Sequence, residues 1–328
     1  CFAVKGGVLL CAVSMKREHL FFALKLLLTT ALLVAVVQYV DLAEVWERIR
    51  GVNPTWLVAS LGCLAIGYVM CGVRWAWIAE GLGIEVSRRR KVKLYFLGMF
   101  ASLFLPSTIG GDVVRGSLLA KSDGRRGIGV SAGASVILDR VNGMYALLLL
   151  LTVCMLFFDW SLTWWLSWMA VVAAAWGGML FYPLVDRYLV SRLPERLEKL
   201  KSLPLMEPEF QKMWWRSMPV SFLFQMLIVQ AHFFLGMAVG LEMSWAAYSI
   251  MVGLVALVAT LPISLNGFGV REAGYVSFAV YFGANGDAAT AMAALWVIIL
   301  GLASLPGAWV LWRLGGIGSL RRSEAGSE

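Results

Sequence analysis

Charge is what this sequence is short of. Only 15% of its 328 residues are Asp, Glu, Lys or Arg, against about 25% in a soluble globular domain. Histidine is scarcer still, and His19 and His232 stand alone, so no cluster with metal-ligand spacing exists. The five cysteines, Cys1, Cys11, Cys63, Cys71 and Cys154, include no C-x-x-C pair. Cys63 and Cys71 fall two turns apart on one predicted helix, too far to bond each other, so neither a disulfide framework nor a zinc site is implied. No P-loop, catalytic triad or H-E-x-x-H motif occurs. Gly267-Phe268-Gly269 is no dinucleotide fingerprint, because Glu272 stands at the third glycine position and no strand precedes it. The sequence therefore calls for no cofactor and no metal.

What is present is apolar. Hydrophobic residues make up 60% of the chain, and the mean hydropathy is +0.78; soluble domains are about 45–50% apolar. Several runs reach the roughly 20 residues that a helix needs to cross a ~30 Å hydrocarbon core. The runs are continuous and do not alternate, which disfavours a β-barrel. The expected fold class is all-α, a polytopic membrane protein. The net charge of +8 reads as basic residues collected in cytoplasmic loops beside anionic headgroups. The lipid bilayer, not nucleic acid, is the expected partner. Most of the tryptophans, Trp46, Trp56, Trp75, Trp77, Trp160, Trp164, Trp214, Trp215, Trp245 and Trp312, lie near predicted span ends and read as an aromatic belt.

Along the chain, residues 1–18 read as an N-terminal extension, with Met15 before Lys16-Arg17. Residues 19–313 read as one transmembrane domain and 314–328 as a short cytoplasmic tail. The first span is His19–Val40 and the second Pro54–Glu80. Arg88-Arg89-Arg90-Lys91 and Lys93 follow and mark a cytoplasmic loop, which places the N-terminus inside as well. Leu94–Leu105 is too short to span and ends in Pro106-Ser107-Thr108-Ile109-Gly110-Gly111-Asp112, a helix-breaking run. Arg115, Lys121, Arg125 and Arg126 then return the cytoplasmic signature, so the segment reads as a re-entrant hairpin. Such backbone is tolerated at membrane depth only where it is buried in protein or lines a wet cavity.

The third span runs from near Gly127 to near Phe158, and the fourth is Leu162–Val185. Arg187, Arg192, Arg196, Lys199 and Lys201, with Leu193, Leu197 and Leu200 on one face, predict a short helix on the inner surface. The fifth span is Trp214–Gly240. A second broken region joins Trp245–Leu261 to Ala273–Gly283 through Pro262, Asn266, Gly267 and Gly269. The last span is Ala288–Trp312, and Arg313, Arg321 and Arg322 place the C-terminus inside. Six full spans plus two re-entrant hairpins satisfy every charge cue, and eight spans also keep both termini inside.

The two broken regions repeat each other. Leu105-Pro106 matches Leu261-Pro262; five residues on stand Gly111 and Gly267, and nine on stand Arg115 and Arg271. In the six-plus-two arrangement the hairpins enter from opposite sides. That is the signature of an inverted repeat whose broken helices meet at a binding site. The candidate substrate-binding residues are the polar groups nearest the breaks: Asp112, Arg115, Asn266, Arg271 and Glu272, joined by Asp139 and Arg140 on the third span, near its inner boundary. Ionisable groups inside a membrane are functional candidates by default. Arginine offers a planar fork that matches phosphate oxygens. Asp139 is expected against Arg115 or Arg271, and the two arginines are expected to flank one cavity. Arg74 reads as a snorkelling interface residue. His232, Gln225 and Gln230 read as interhelical hydrogen-bonding groups, and Gly129/Gly133 and Gly236/Gly240 as close-packing pairs.

At Leu105-Pro106 through Asp112-Val113-Val114-Arg115 the chain resembles the lysylphosphatidylglycerol synthase transmembrane (flippase-like) family. Asp139-Arg140 is similar to that family's acidic-arginine pair, and Leu261-Pro262 through Gly267-Phe268-Gly269-Val270-Arg271-Glu272 to its second motif. In the multiple peptide resistance factor such a domain translocates aminoacylated phosphatidylglycerol, and a separate cytosolic domain makes that lipid. The resemblance implies a flippase- or scramblase-like lipid transporter in a bacterial or archaeal cytoplasmic membrane. Its implied substrate is a phospholipid or a polyprenyl-phosphate-type lipid. Only residues 314–328 follow the last span, so no synthase activity is expected and the chain reads as no enzyme. The alternatives are an accessory subunit of a lipid or envelope-glycan pathway, and a membrane enzyme using Asp112 and Asp139.

Overall fold

The computed structural model describes residues 23–104, 110–125, 127–180, 203–261, 264–265 and 267–313. Within them the chain forms helices and no strand. In order these are α1 Ala23–Tyr39, α2 Leu42–Arg50, α3 Pro54–Gly81, α4 Arg88–Phe104, α5 Gly110–Asp123, α6 Ile128–Met155, α7 Leu162–Leu180, α8 Pro208–Val239, α9 Trp245–Ala259, α10 Val270–Tyr281 and α11 Gly286–Arg313. Helix is the form that satisfies every backbone group without water, and the polar residues between the apolar runs set its ends. Asp41 caps α2 and Asn53 caps α3 by accepting first-turn N–H groups, and Ser244 does the same for α9. Gly240 ends α8 at φ 73°, a left-handed position that favours glycine.

This is a polytopic α-helical membrane protein. Four helices, α3, α6, α8 and α11, are long and apolar enough to cross a membrane, and α1 with α2 makes a fifth if that pair, bent by 85°, is one span. The expected first and fourth spans, 19–40 and 162–185, run into residues outside the described set. So do the expected inner-surface helix at 187–201, both terminal segments, and Pro106, Pro262 and Asn266.

The broken regions form two helix–break–helix hairpins, α4–α5 and α9–α10. Their arms have 17, 14, 15 and 12 residues, each below the roughly 20 needed to span. Both mouths of the first hairpin are tied to the end of α3. At its entrance, Arg88 meets Glu80 at 2.8 Å and the buried Lys91 ammonium donates to the Ile84 carbonyl at 2.9 Å. At its exit, Asp123 accepts the Glu85 N–H at 3.1 Å and Arg125 donates to the Gly83 carbonyl at 2.6 Å. Hydrogen bonds from Arg125 hold the Asp123 carboxyl down, to about 2. We call this end, with Arg88, Arg89, Arg90 and Lys93, the basic face.

The second hairpin opens at the other end of α6. Tyr281 stacks on Trp160 at 6.1 Å and Phe282 lies 5.2 Å from Phe158, just past the α6 C-terminus. α6 itself starts at the basic face directly after the first hairpin, and its 28 residues span roughly 42 Å. The two hairpins therefore open at opposite ends of one long helix.

Glycine lets these elements approach. A Cβ on Gly111 would lie 2.1 Å from the Gly98 carbonyl, so α4 and α5 touch backbone to backbone; one on Gly307 would lie 2.1 Å from the Phe96 carbonyl, which seats α11 on α4. Gly236 packs on Tyr248 as expected, but Gly129 and Gly133 have nothing within 4 Å of a Cβ. The latter pair does not pack; it faces open space. Trp75 also departs from the belt reading. It is fully buried, and its indole N–H donates to Ser135 at 3.1 Å.

Candidate functional site: a buried arginine–aspartate cluster

Asp139 projects from the middle of α6 into the protein, with 2% of its side chain exposed. One carboxylate oxygen accepts from Arg74 of α3, at 2.8 Å from Nε and 2.7 Å from Nη2. The other accepts from both terminal nitrogens of Arg115 of α5 at 3.0 Å. Arg115 Nε donates to Asp112 at 3.0 Å, and the second Asp112 oxygen takes a hydrogen bond from Arg140. Arg74 reaches on to the Ser221 hydroxyl of α8 at 3.0 Å, and Ser221 donates to Asn142. Aromatic faces close the site: the Arg115 guanidinium carbon is 4.8 Å from the Trp75 ring and 4.9 Å from the Tyr95 ring. Three guanidiniums thus meet two carboxylates within the cluster.

Two cavities open on this cluster. A small polar one of about 220 Å³ is lined by Arg74, Tyr95, Ser102, Asp112, Arg115, Asp139 and Arg140, with Gly98 and Met99. A large one of about 1190 Å³ shares Arg74, Asp112, Asp139 and Arg140 and continues along apolar walls. Those walls include Val113 from the start of α5, Gly133, Val136 and Leu147 from α6, Phe224 and Ile228 from α8, and Ala256, Leu257 and Thr260 at the end of α9. The inner ends of both hairpins therefore border one cavity. It is a largely apolar chamber with the arginine–aspartate cluster partway along it and Lys121 toward the α5 exit.

Residues 22–307 match the family described as the lysylphosphatidylglycerol synthase TM region. The chain belongs to this family. A curated relative, a UPF0104 membrane protein of Methanothermobacter thermautotrophicus, is 22% identical over 322 residues, covering 87% of this chain and 94% of the relative.

In this family member the structure gathers Asp112, Arg115, Asp139 and Arg140 into one network and leaves Arg271 and Glu272 out of it. Neither of those two lines either cavity. The expectation that Arg115 and Arg271 flank one chamber is therefore not what the fold presents. Asp139 chooses Arg115, and the Glu272 carboxylate turns back to cap its own helix at the Gly269 N–H, 2.6 Å away. Asp139 and Arg140 also sit deeper than expected. Eleven residues separate Ile128 from Asp139, roughly 17 Å of helix, which is nearer mid-length than boundary.

Arg74 is the residue that sequence reasoning misjudged. It does not snorkel; it is 4% exposed and holds half of Asp139. The signal was there, a charge seven residues inside the end of an apolar span, and the default reading of an intramembrane ionisable group fits it better. The hydrogen-bonding group expected around His232 does form: His232 faces Tyr275 at 3.0 Å, Gln225 donates to the Gly143 carbonyl at 2.9 Å, and Gln230 accepts from Trp245 at 3.2 Å.

Proposed function

We propose that this protein moves an anionic, phosphate-bearing lipid between the leaflets of the membrane. The large chamber supports the reading most directly. Its walls are largely apolar, the arginine cluster lies partway along it, and it is bordered by the broken ends of two hairpins that open to opposite faces. An acyl or isoprenoid chain fits the walls, and a phosphate fits the forks of the clustered guanidiniums. Arg140, with 42% of its side chain exposed, is the first guanidinium such a headgroup meets. Asp112 bridges Arg115 and Arg140, so an arriving phosphate competes with Asp112 for both. On this reading the cluster is a held-open exchange of ion pairs. Salt bridging to two arginines keeps each carboxylate occupied, which argues against Asp112 and Asp139 as an acid–base pair and against the enzyme reading. The basic face is the cytoplasmic one by the positive-inside rule.

The test is translocation in proteoliposomes that carry a fluorescent phosphatidylglycerol, read as the fraction of label protected from a membrane-impermeant quencher. Wild-type protein should empty the protected pool, and Arg140→Gln should slow it about tenfold, the worth of one charged hydrogen bond. Label that stays protected with folded wild-type protein, for phosphatidylglycerol and for a polyprenyl phosphate alike, overturns the proposal.

A further inference from the structure

Arg271 forms no ion pair among the described residues. It lies in the first turn of α10, half-buried, and makes no side-chain hydrogen bond among them. Its neighbour Glu272 is committed to the Gly269 N–H. The groups within its electrostatic reach are Tyr68 of α3, His232 of α8 and Tyr275 of α10, none of them an anion. His232 Nδ1 faces the Ile228 carbonyl at 2.9 Å and so carries the proton, which leaves Nε2 to accept the Tyr275 O–H at 3.0 Å. The Tyr275 proton is thereby used. The Tyr68 hydroxyl is not: the residue is 6% exposed and the hydroxyl has no partner among the described residues. Ser264, in the same hairpin tip and also 6% exposed, has a buried hydroxyl without a partner.

A guanidinium in a low-dielectric interior is expensive unless an anion meets it. Here the described residues supply the cation and spare O–H donors, while the neighbouring carboxylate, Glu272, is turned to the Gly269 N–H. We infer that Arg271, with Tyr68, is a second anion-binding station for a phosphate-class oxyanion, distinct from the Arg74–Arg115–Arg140 cluster. The fork of Arg271 takes two oxygens and the Tyr68 O–H a third. Six residues of α3 separate Tyr68 from Arg74, roughly 9 Å, and Phe224 stands between them. Its ring is 6.5 Å from that of Tyr68 and 6.0 Å from the Arg74 guanidinium carbon. The two stations are stacked along one helix with an aromatic ring between. That the oxyanion is a lipid headgroup rests on the transport reading; that Arg271 binds an oxyanion does not.

Native mass spectrometry of the whole protein, delipidated in a neutral detergent and titrated with phosphatidylglycerol, counts the stations. Wild-type protein should retain two lipids, Arg271→Gln one, and Arg140→Gln the other one. In the Arg140→Gln background Tyr68→Phe should weaken the remaining lipid about tenfold, and Arg271→Lys should keep part of the affinity. Millimolar inorganic phosphate that displaces this lipid identifies a free-phosphate station; phosphate that does not displace it identifies a lipid headgroup. Two lipids retained by Arg271→Gln, or none by folded Arg140→Gln, overturn the inference. Should Arg271→Gln not yield monodisperse protein, an unchanged affinity in Tyr68→Phe overturns it instead. Wild-type protein that binds both lipids and translocates neither leaves the station standing and removes the transport reading.

Discussion

The two hairpins carry the same signature and opposite electrostatics. Pro106 and Pro262 are 156 residues apart (262 − 106), and the same offset pairs Arg115 with Arg271. Carried onward, it pairs Asp112 with Phe268, Asp139 with Leu295 and Arg140 with Trp296. The first half thus supplies its arginine with two carboxylates. The second half replaces both with apolar residues, and Leu295 and Trp296 are buried in the core. Trp296 instead packs on His232, with ring centroids 3.8 Å apart. A repeat can preserve how the backbone breaks while changing what the break presents. In one copy the arginine is locked in a network of ion pairs; in the other it forms none among the described residues.

The comparison breaks most sharply at Asp139. Asp139→Leu copies the second half into the first, leaving Arg74 with no carboxylate and Arg115 with Asp112 alone, so a loss of about 3–5 kcal/mol is expected. Denaturant unfolding of detergent-solubilised protein measures it. A loss under about 1 kcal/mol would mean that the buried pairs are not what separates the hairpins.

Next comes hairpin packing. Gly111→Ala puts a Cβ 1.9 Å from the Ser102 hydroxyl and 2.1 Å from the Gly98 carbonyl. Because one of those atoms is backbone, overpacking should cost about 1–3 kcal/mol. The thermal midpoint is the readout, and an unchanged midpoint would show that α4 and α5 separate freely. Arg271→Gln belongs lower on the scale. It strands no carboxylate, so its cost in the same unfolding assay should stay below about 1 kcal/mol. A loss equal to that of Asp139→Leu would erase the contrast drawn here.

The mouth of the first hairpin adds a pH dependence. The Asp123 carboxyl is depressed to about 2 by Arg125, against about 3.9 unfolded. Its contribution is therefore complete above about pH 4 and fades as the pH falls toward 2. Asp123→Asn should remove that part of the acid sensitivity, seen as faster hydrogen exchange at 83–88 already at neutral pH. The smallest effect belongs to Gly133→Ala. Its Cβ meets nothing within 4 Å, and alanine favours helix by about 1 kcal/mol, so stability should hold or rise slightly. A destabilised variant would show that Gly133 packs after all.

Much of the fold was readable because membrane helices announce themselves by length, and because prolines and glycines mark where they break. The start of α6 near Gly127, both hairpins and their opposite entry follow from those cues. Four of the cluster's five charged members were readable too, since Asp112, Arg115, Asp139 and Arg140 are charges in apolar surroundings. What was not readable is who pairs with whom. Repeat symmetry argued for Arg115 beside Arg271, but Arg115 is claimed by a carboxylate 24 residues on (139 − 115), and that carboxylate's other partner, Arg74, depends on how α3 packs. Arg74 was misread because a span position near an end suits snorkelling equally well until the neighbouring helix is known. The glycines at 129 and 133 were misread because small residues serve contact and open volume alike.

The order of synthesis gives the Arg115–Asp139 pair a further meaning. A ribosome adding about 5–20 residues per second delivers Asp139 only about 1–5 s after Arg115. During that interval the first hairpin carries an arginine with half of its partners missing, too polar to be left among lipid tails. It has to wait at the protein-lined exit of the insertion machinery or at the membrane surface, and it settles when α6 arrives. α6 is therefore the escort of the hairpin before it as well as a crossing in its own right. The second hairpin has no such escort to await.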